Sequence, residues 1–139
     1  MSSRAQLGFV FPGQGSQSLG MMAALANEFS EVRTRYAAAS EVLGFDLWQL
    51  VAEGPEEQLN RTQNTQPALL AASVATWDIW VNLAGPLPNV MAGHSFGEYS
   101  ALVCAGALNF ETAIALVAER GRLMQEAVPI GQEIGRAHV

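Results

Sequence analysis

The residues of this chain best placed to do chemistry are Gly93-His94-Ser95-Phe96-Gly97, a serine with a glycine two positions to either side. Between a short strand and a helix this is the nucleophile-elbow pattern. The serine sits in a strained turn that exposes its Oγ, and the flanking glycines let neighbouring backbone pass without Cβ clashes. The Phe96 N–H, at a helix N-terminus, is then placed to stabilise an oxyanion. The chemistry implied is acyl transfer through a seryl intermediate. An isolated motif of this form also fits a helix-capping serine after a glycine-rich turn. His94 is adjacent to the serine on a sharp turn and points elsewhere, so it reads as a packing or hydrogen-bonding residue rather than the base. Glu98 lies in the first helical turn, where a carboxylate favours the helix dipole. Cys104, in an Ala/Leu/Val-rich helix, reads as a core residue rather than a thiolate.

The elements that must position this serine follow from pattern. Leu7 to Phe11 is a β-prone run closed by Pro12 and Gly13, which predicts a buried strand ending in a glycine-rich loop from Pro12 to Gly20. Met21 to Phe29 and Glu31 to Leu43 show helical spacing, with Ser30 in place to cap the second segment and Gly44 to close it. Phe45 to Val51 is a further short helix ended by Gly54-Pro55. Thr65-Gln66-Pro67 predicts a helix start with proline at the first position, and the run ends near Gly85-Pro86. Asn89 to Ala92 is the strand before the elbow, and a small-residue helix follows to about Gly106. An amphipathic helix from about Phe110 to Ala127 stops at Pro129. No internal repeat or linker interrupts the chain. Strands alternating with helices predict an α/β fold with a parallel sheet and flanking helices.

Composition narrows the function. Of 139 residues half are hydrophobic and 14% charged, which predicts a globular domain rather than a disordered segment. A net charge of −6, with seven scattered arginines and no lysine, argues against a nucleic-acid partner and removes lysine as a base or Schiff-base former. A single cysteine makes neither an internal disulfide nor a zinc site, so no metal is expected and a reducing, cytoplasmic setting fits. No apolar stretch is long enough for a signal core or a membrane span; the longest, Pro67 to Leu83, carries Asp78 in its middle. Asn60-Arg61-Thr62 matches a glycosylation sequon, which without a secretory signal reads as chance.

The run Gly93-His94-Ser95-Phe96-Gly97-Glu98-Tyr99-Ser100-Ala101-Leu102-Val103-Cys104-Ala105-Gly106 resembles the active-site block of bacterial malonyl-CoA:acyl-carrier-protein transacylases. Phe11-Pro12-Gly13-Gln14-Gly15-Ser16-Gln17 is similar to that family's N-terminal loop, Thr65-Gln66-Pro67-Ala68-Leu69-Leu70 to its second block, and Arg120-Gly121-Arg122-Leu123-Met124-Gln125 to its fourth. In this order they cover Leu7 to Val128. The resemblance implies an α/β-hydrolase-like acyltransferase large subdomain. It implies ping-pong transfer of a malonyl group from malonyl-CoA, through Ser95, to the pantetheine thiol of acyl carrier protein, with no cofactor beyond the coenzyme A thioester. It also implies an oxyanion hole from the backbone N–H groups of Gln14 and Phe96, and a malonyl-carboxylate clamp at Arg120. A guanidinium suits that role because its planar fork gives a carboxylate two hydrogen bonds. From spacing alone Arg120 would be a solvated arginine on an amphipathic helix.

The same resemblance implies parts that this sequence does not supply. The family's serine is activated by a histidine in the second half of the protein, for which His138 is no substitute, and the small ferredoxin-like subdomain lies there too. The chain is therefore expected to be an N-terminal piece, residues 4–133 of an acyltransferase domain, and by itself inactive. Residues 134–139, Ile-Gly-Arg-Ala-His-Val, look like a reading frame of a sequencing-adapter oligonucleotide and are expected to be a non-native tail. Other readings are an acyltransferase domain of a polyketide synthase, disfavoured by a start seven residues before the first strand, and a non-catalytic binding relic. Gly13-x-Gly15 after a strand is a partial dinucleotide fingerprint with Ser18 in the third place, but the second strand such a unit needs falls on the helical run Glu31 to Leu43.

Overall fold

In a computed structural model the described residues are 5–128. The expected domain limits at 4 and 133 and the expected tail at 134–139 lie outside them. Strand β1 (Gly8–Phe11) pairs in parallel with β2 (Val90–Gly93), in a register running from Gly8 opposite Val90 to Phe11 opposite Gly93. Five helices connect the strands: α1 (Ala23–Glu28), α2 (Ser30–Leu43), α3 (Leu47–Glu53), α4 (Glu56–Leu59) and α5 (Thr62–Asn82). After β2 come α6 (Gly97–Cys104) and α7 (Phe110–Ala127). The parallel α/β arrangement with flanking helices is the one expected. Because the strands end level, the loop after β1 and the elbow after β2 leave the sheet side by side at its carboxyl end, where ligands of open α/β sheets bind.

The core lies among the helices. Tyr36 of α2, Leu70 and Val74 of α5, and Ile114 and Val117 of α7 are almost wholly removed from water. The Tyr36 hydroxyl donates to the Ala68 carbonyl oxygen at 2.9 Å, so even the polar end of that ring is satisfied inside the core. Arg35 and Asp78 join α2 to α5 through two hydrogen bonds, from Nε at 2.5 Å and from Nη2 at 3.1 Å. Asp78, in the middle of the long apolar segment, is thereby paired from α2. No helix among the described residues is long and apolar enough to cross a membrane.

Four local expectations are corrected. The first strand is buried only in part: Phe11 joins the core, but Val10 is 84% exposed, and Val90 of the second strand is 62% exposed. Alternation along a strand sends side chains to opposite faces. Phe9 packs edge-on against Trp77 and Trp80 at 5.4 and 5.3 Å, whereas Val10 and Val90 face water. Ser30 is the first residue of α2 rather than its cap. Phe29 holds the cap position with φ −127°, and its N–H already closes α1 on the Leu25 carbonyl, so one extended residue serves both helices. The first helix begins at Ala23 instead of Met21 because Gly20 and Met22 both take positive φ, 77° and 70°.

The fourth correction matters most for the site. Helix α5 starts at Thr62, so Pro67 is interior. The Asn64 and Thr65 N–H groups both donate to the Arg61 carbonyl at 2.8 Å, and the Thr65 hydroxyl bonds the Leu59 carbonyl at 2.5 Å. Asn64 Nδ2 donates to the Gln58 carbonyl at 2.9 Å. Helix α4, which the sequence did not reveal, supplies the Gln58 and Leu59 carbonyls and buries Leu59. An interior proline forfeits the bond to the carbonyl four residues earlier and its ring crowds that carbonyl. The polar contacts upstream carry the helix through the additional turn.

Candidate active site

The elbow is held in register by the strands and by close backbone approach. The His94 N–H donates to the Phe11 carbonyl at 3.1 Å, extending the sheet ladder by one bond. Three bonds of the i to i+3 type then fold the chain into α6: Gly97 to His94 at 2.9 Å, Glu98 to Ser95 at 3.1 Å and Tyr99 to Phe96 at 2.9 Å. Ser95, at the corner, has φ 56° in the left-handed region, a conformation an L-residue with a Cβ adopts at some cost. Two glycines make the corner possible. A Cβ on Gly93 would overlap the Gly97 carbonyl and the Glu98 N–H, and one on Gly97 would come 2.7 Å from the Phe11 carbonyl oxygen and 2.8 Å from that of Pro12.

The Ser95 side chain is exposed and is met by Arg120, on α7. Arg120 Nη2 donates to Ser95 Oγ at 3.0 Å, and Nη1 donates to Oε1 of Gln66, on α5, at 3.0 Å. Among the described residues no carboxylate pairs with Arg120, although Arg35 is paired with Asp78 and Arg122 with Glu119 and Glu126. The guanidinium therefore carries an uncompensated positive charge beside the serine hydroxyl. Gly121 lets α7 come this close: a Cβ there would lie 2.6 Å from the Thr62 carbonyl oxygen and 2.7 Å from the Gln63 Cα.

The loop after β1 completes the arrangement. Gln14 is anchored by its Nε2, which donates to the Thr62 hydroxyl at 3.1 Å, and Gln17 Nε2 donates to Asn60 Oδ1 at 2.9 Å. The Gly15 N–H is taken up by Gln17 Oε1 at 2.9 Å, whereas the N–H groups of Gln14 and Phe96 have no protein acceptor among the described residues. Phe96, at the start of α6 with its ring buried, presents its N–H at the positive end of that helix. Of the four residues expected to act, Ser95 and Arg120 are thus in direct contact. Gln14 and Phe96 lie on the two loops that leave the sheet at the same end.

Residues set aside by the sequence behave accordingly. The His94 ring packs on the N-terminal loop: a Cβ on Gly13 would come 2.5 Å from its Nδ1. Glu98 lies in the first turn of α6. Cys104 is buried, and loss of solvation, aided by nearby Asp78, pushes its thiol up to about 12, so it stays protonated. The partial dinucleotide fingerprint fails structurally, because Gly13 and Gly15 do not open onto a helix; α1 starts only at Ala23, after two positive-φ turns. A groove of about 810 Å³ runs along the unpaired edge of β2, lined by Trp77, Met91, Leu102 and Cys104, but neither Ser95 nor Arg120 lines it. It is an open sheet edge rather than a substrate pocket. Among the described residues no group of three or more His, Cys, Asp or Glu side chains is placed to hold a metal ion.

Two residues of the site went unrecognised in the sequence. Gln66 stood in a quoted block without a role, and Thr62 lay upstream of the expected helix start. The one available signal was a glutamine heading the otherwise apolar run from Pro67 to Ala72.

Comparison with known proteins gives this geometry a family. Residues 8–139 match the acyl transferase domain model. The malonyl CoA-acyl carrier protein transacylase of Salmonella typhimurium is 59% identical over 126 residues, which are 91% of this chain and 41% of the relative. A crystal structure of an acyl carrier protein S-malonyltransferase from Vibrio cholerae superposes with a TM-score of 0.88 at 60% identity, covering 91% of this chain and 42% of that one. A malonyl-transacylase solved in complex with its type II polyketide-synthase acyl carrier protein gives 0.88 at 62% identity, over 90% and 40% of the two chains. The chain thus spans about two fifths of the length of these relatives, and over that span it belongs to the acyl transferase domain family.

Proposed function

We propose that this chain carries the nucleophile, the oxyanion-binding groups and the carboxylate clamp of a malonyl-CoA:acyl-carrier-protein transacylase. The observation that supports this best is the 3.0 Å contact between Ser95 Oγ, at a positive-φ elbow, and the Arg120 guanidinium, which pairs with no carboxylate among the described residues. Ser95 Oγ attacks the malonyl thioester carbonyl, the C–S bond breaks, and coenzyme A leaves as its thiol with the proton that the serine gave up. The tetrahedral oxyanion is received by the N–H groups of Gln14 and Phe96. In the second half-reaction the pantetheine thiol of acyl carrier protein attacks the seryl ester and the serine is restored.

Arg120 gives the reaction its acyl group. A malonyl group on Oγ carries its free carboxylate two bonds beyond the acyl carbon. The guanidinium that bonds the free hydroxyl is close enough to take that carboxylate instead. An acetyl group offers it nothing. Charge-assisted bonds of this kind contribute about 1.5–3 kcal/mol each. The base is assigned to the part of the family domain that this chain does not span, since the His94 ring lies against the loop after β1 at Gly13. Without such a base roughly 10³–10⁴ over water remains in serine hydrolases. The chain alone is accordingly expected to give no measurable turnover. A cytoplasmic setting suits the coenzyme A and carrier-protein substrates.

The test is to place residues 5–128 in the Vibrio cholerae enzyme in place of its matching segment and to follow malonyl transfer to acyl carrier protein. The chimera should transfer malonyl, and Ser95→Ala should abolish transfer. Equal rates with and without the Ser95 hydroxyl would refute the assignment.

A further inference from the structure

Gln66 is wholly buried, yet it is an amide heading a helix stretch, Pro67 to Ala71, that is apolar and buried all round. A buried amide needs partners at both ends. Its Oε1 accepts from Arg120 Nη1 at 3.0 Å, and its Nε2 donates to Met124 Sδ at 3.3 Å. Both partners fix the same orientation. A guanidinium only donates, so it requires the carbonyl end, and a thioether only accepts, so it requires the amine end. Arg120 and Met124 lie four residues apart on α7, on one face, and the amide is clasped between them. The close approach of the two helices at Gly121 brings Gln66 within reach.

What matters is that this acceptor is neutral. A glutamate at the same place would form a buried ion pair and spend the guanidinium charge inside the protein. The amide fixes one nitrogen of the fork and leaves the charge, together with the Nη2 donors, turned to the serine. We propose that Gln66 is a positioning and specificity-determining residue: a buried neutral acceptor that holds the Arg120 guanidinium beside Ser95 without neutralising it, so that the site selects an acyl group with a free carboxylate. The malonyl part of this inference rests on the function proposed above; the positioning part rests only on the contacts of Gln66.

Two readouts on the full 139-residue chain separate these parts. Nitrogen-detected NMR of the Arg120 guanidinium should show restricted rotation about Cζ–Nη in the unaltered chain and averaged, fast-exchanging signals in Gln66→Leu. Titration with malonyl-CoA and acetyl-CoA should show a preference for malonyl that falls at least tenfold in Gln66→Glu. That variant preserves shape and keeps Arg120 ordered, so acetyl-CoA binding should stay within threefold. A merely structural glutamine would lower both affinities together, and that outcome overturns the proposal, as do unchanged Arg120 signals in a folded Gln66→Leu. Should Gln66→Leu fail to fold, Met124→Leu, which removes the amine's acceptor, must broaden the Arg120 signals for the proposal to stand. If the unaltered chain binds both thioesters alike while Arg120 still loses order in Gln66→Leu, the malonyl reading fails and the positioning role remains.

Discussion

The two sides of this molecule differ in how completely they are closed. On the helical side α2, α5 and α7 bury Tyr36, Leu70, Val74, Ile114 and Val117 and satisfy the polar groups among them, including the Tyr36 hydroxyl and the Arg35–Asp78 pair. On the sheet side two strands pair only with each other among the described residues, Val10 and Val90 face water, and a groove runs along the unpaired edge of β2. The candidate site sits on the seam. Its charge, Arg120, is set by the closed side through Gln66 and Gly121; its serine, Ser95, is set by the strand ends of the open side. Helix packing thus fixes the charge of the site, whereas the strand ends fix the level and register of the two loops that carry the rest.

The contrast can be broken most strongly inside the helices. Leu70→Ala removes a fully buried side chain and should cost about 2–5 kcal/mol in urea unfolding of the purified chain. Gly121→Ala should cost about 1–3 kcal/mol, because the new Cβ meets backbone of α5 that cannot swing aside, and it should lengthen the Arg120–Ser95 contact. An alkaline titration reads the same burial through protons. Below pH 9, the ordinary value for its thiol, Cys104 is protonated in both folded and unfolded chains; between 9 and about 12 only the folded chain keeps the proton. Unfolding then releases a proton, so stability falls as pH rises through that window, and burial of the Tyr36 hydroxyl acts in the same direction. A Cys104→Ala variant should show a shallower fall. The smallest effect belongs to the open side: Val10→Thr should change stability by no more than about 0.5 kcal/mol. A cost equal to that of Leu70→Ala would mean that the sheet face is covered in solution.

Much of the elbow was legible because its demands are local. Gly93, Ser95 and Gly97 are constrained by backbone within a few residues, and α7 was readable to its ends from its amphipathic spacing and the proline beyond it; its start is capped by Asn109, whose side chain accepts from the Thr112 N–H at 3.0 Å. The start of α5 was not legible. The proline rule favoured position 67, but the turn before it is held by side chain to backbone bonds from Asn64 and Thr65 to α4, a helix of four residues with no periodic signature. That hidden turn contains Thr62 and Gln66, which anchor Gln14 and Arg120. The approach of Arg120 to Ser95, across 25 positions of sequence, has no local signal either; only the family resemblance pointed to it.

The most direct test of the account compares malonyl with acetyl transfer in the Vibrio cholerae chimera bearing Arg120→Ala. If the guanidinium is the carboxylate clamp, malonyl transfer should fall about tenfold to a hundredfold, as expected for loss of a charge-assisted bond, while acetyl transfer holds or rises. A parallel fall in both would contradict the account and reduce Arg120 to a structural partner of Gln66.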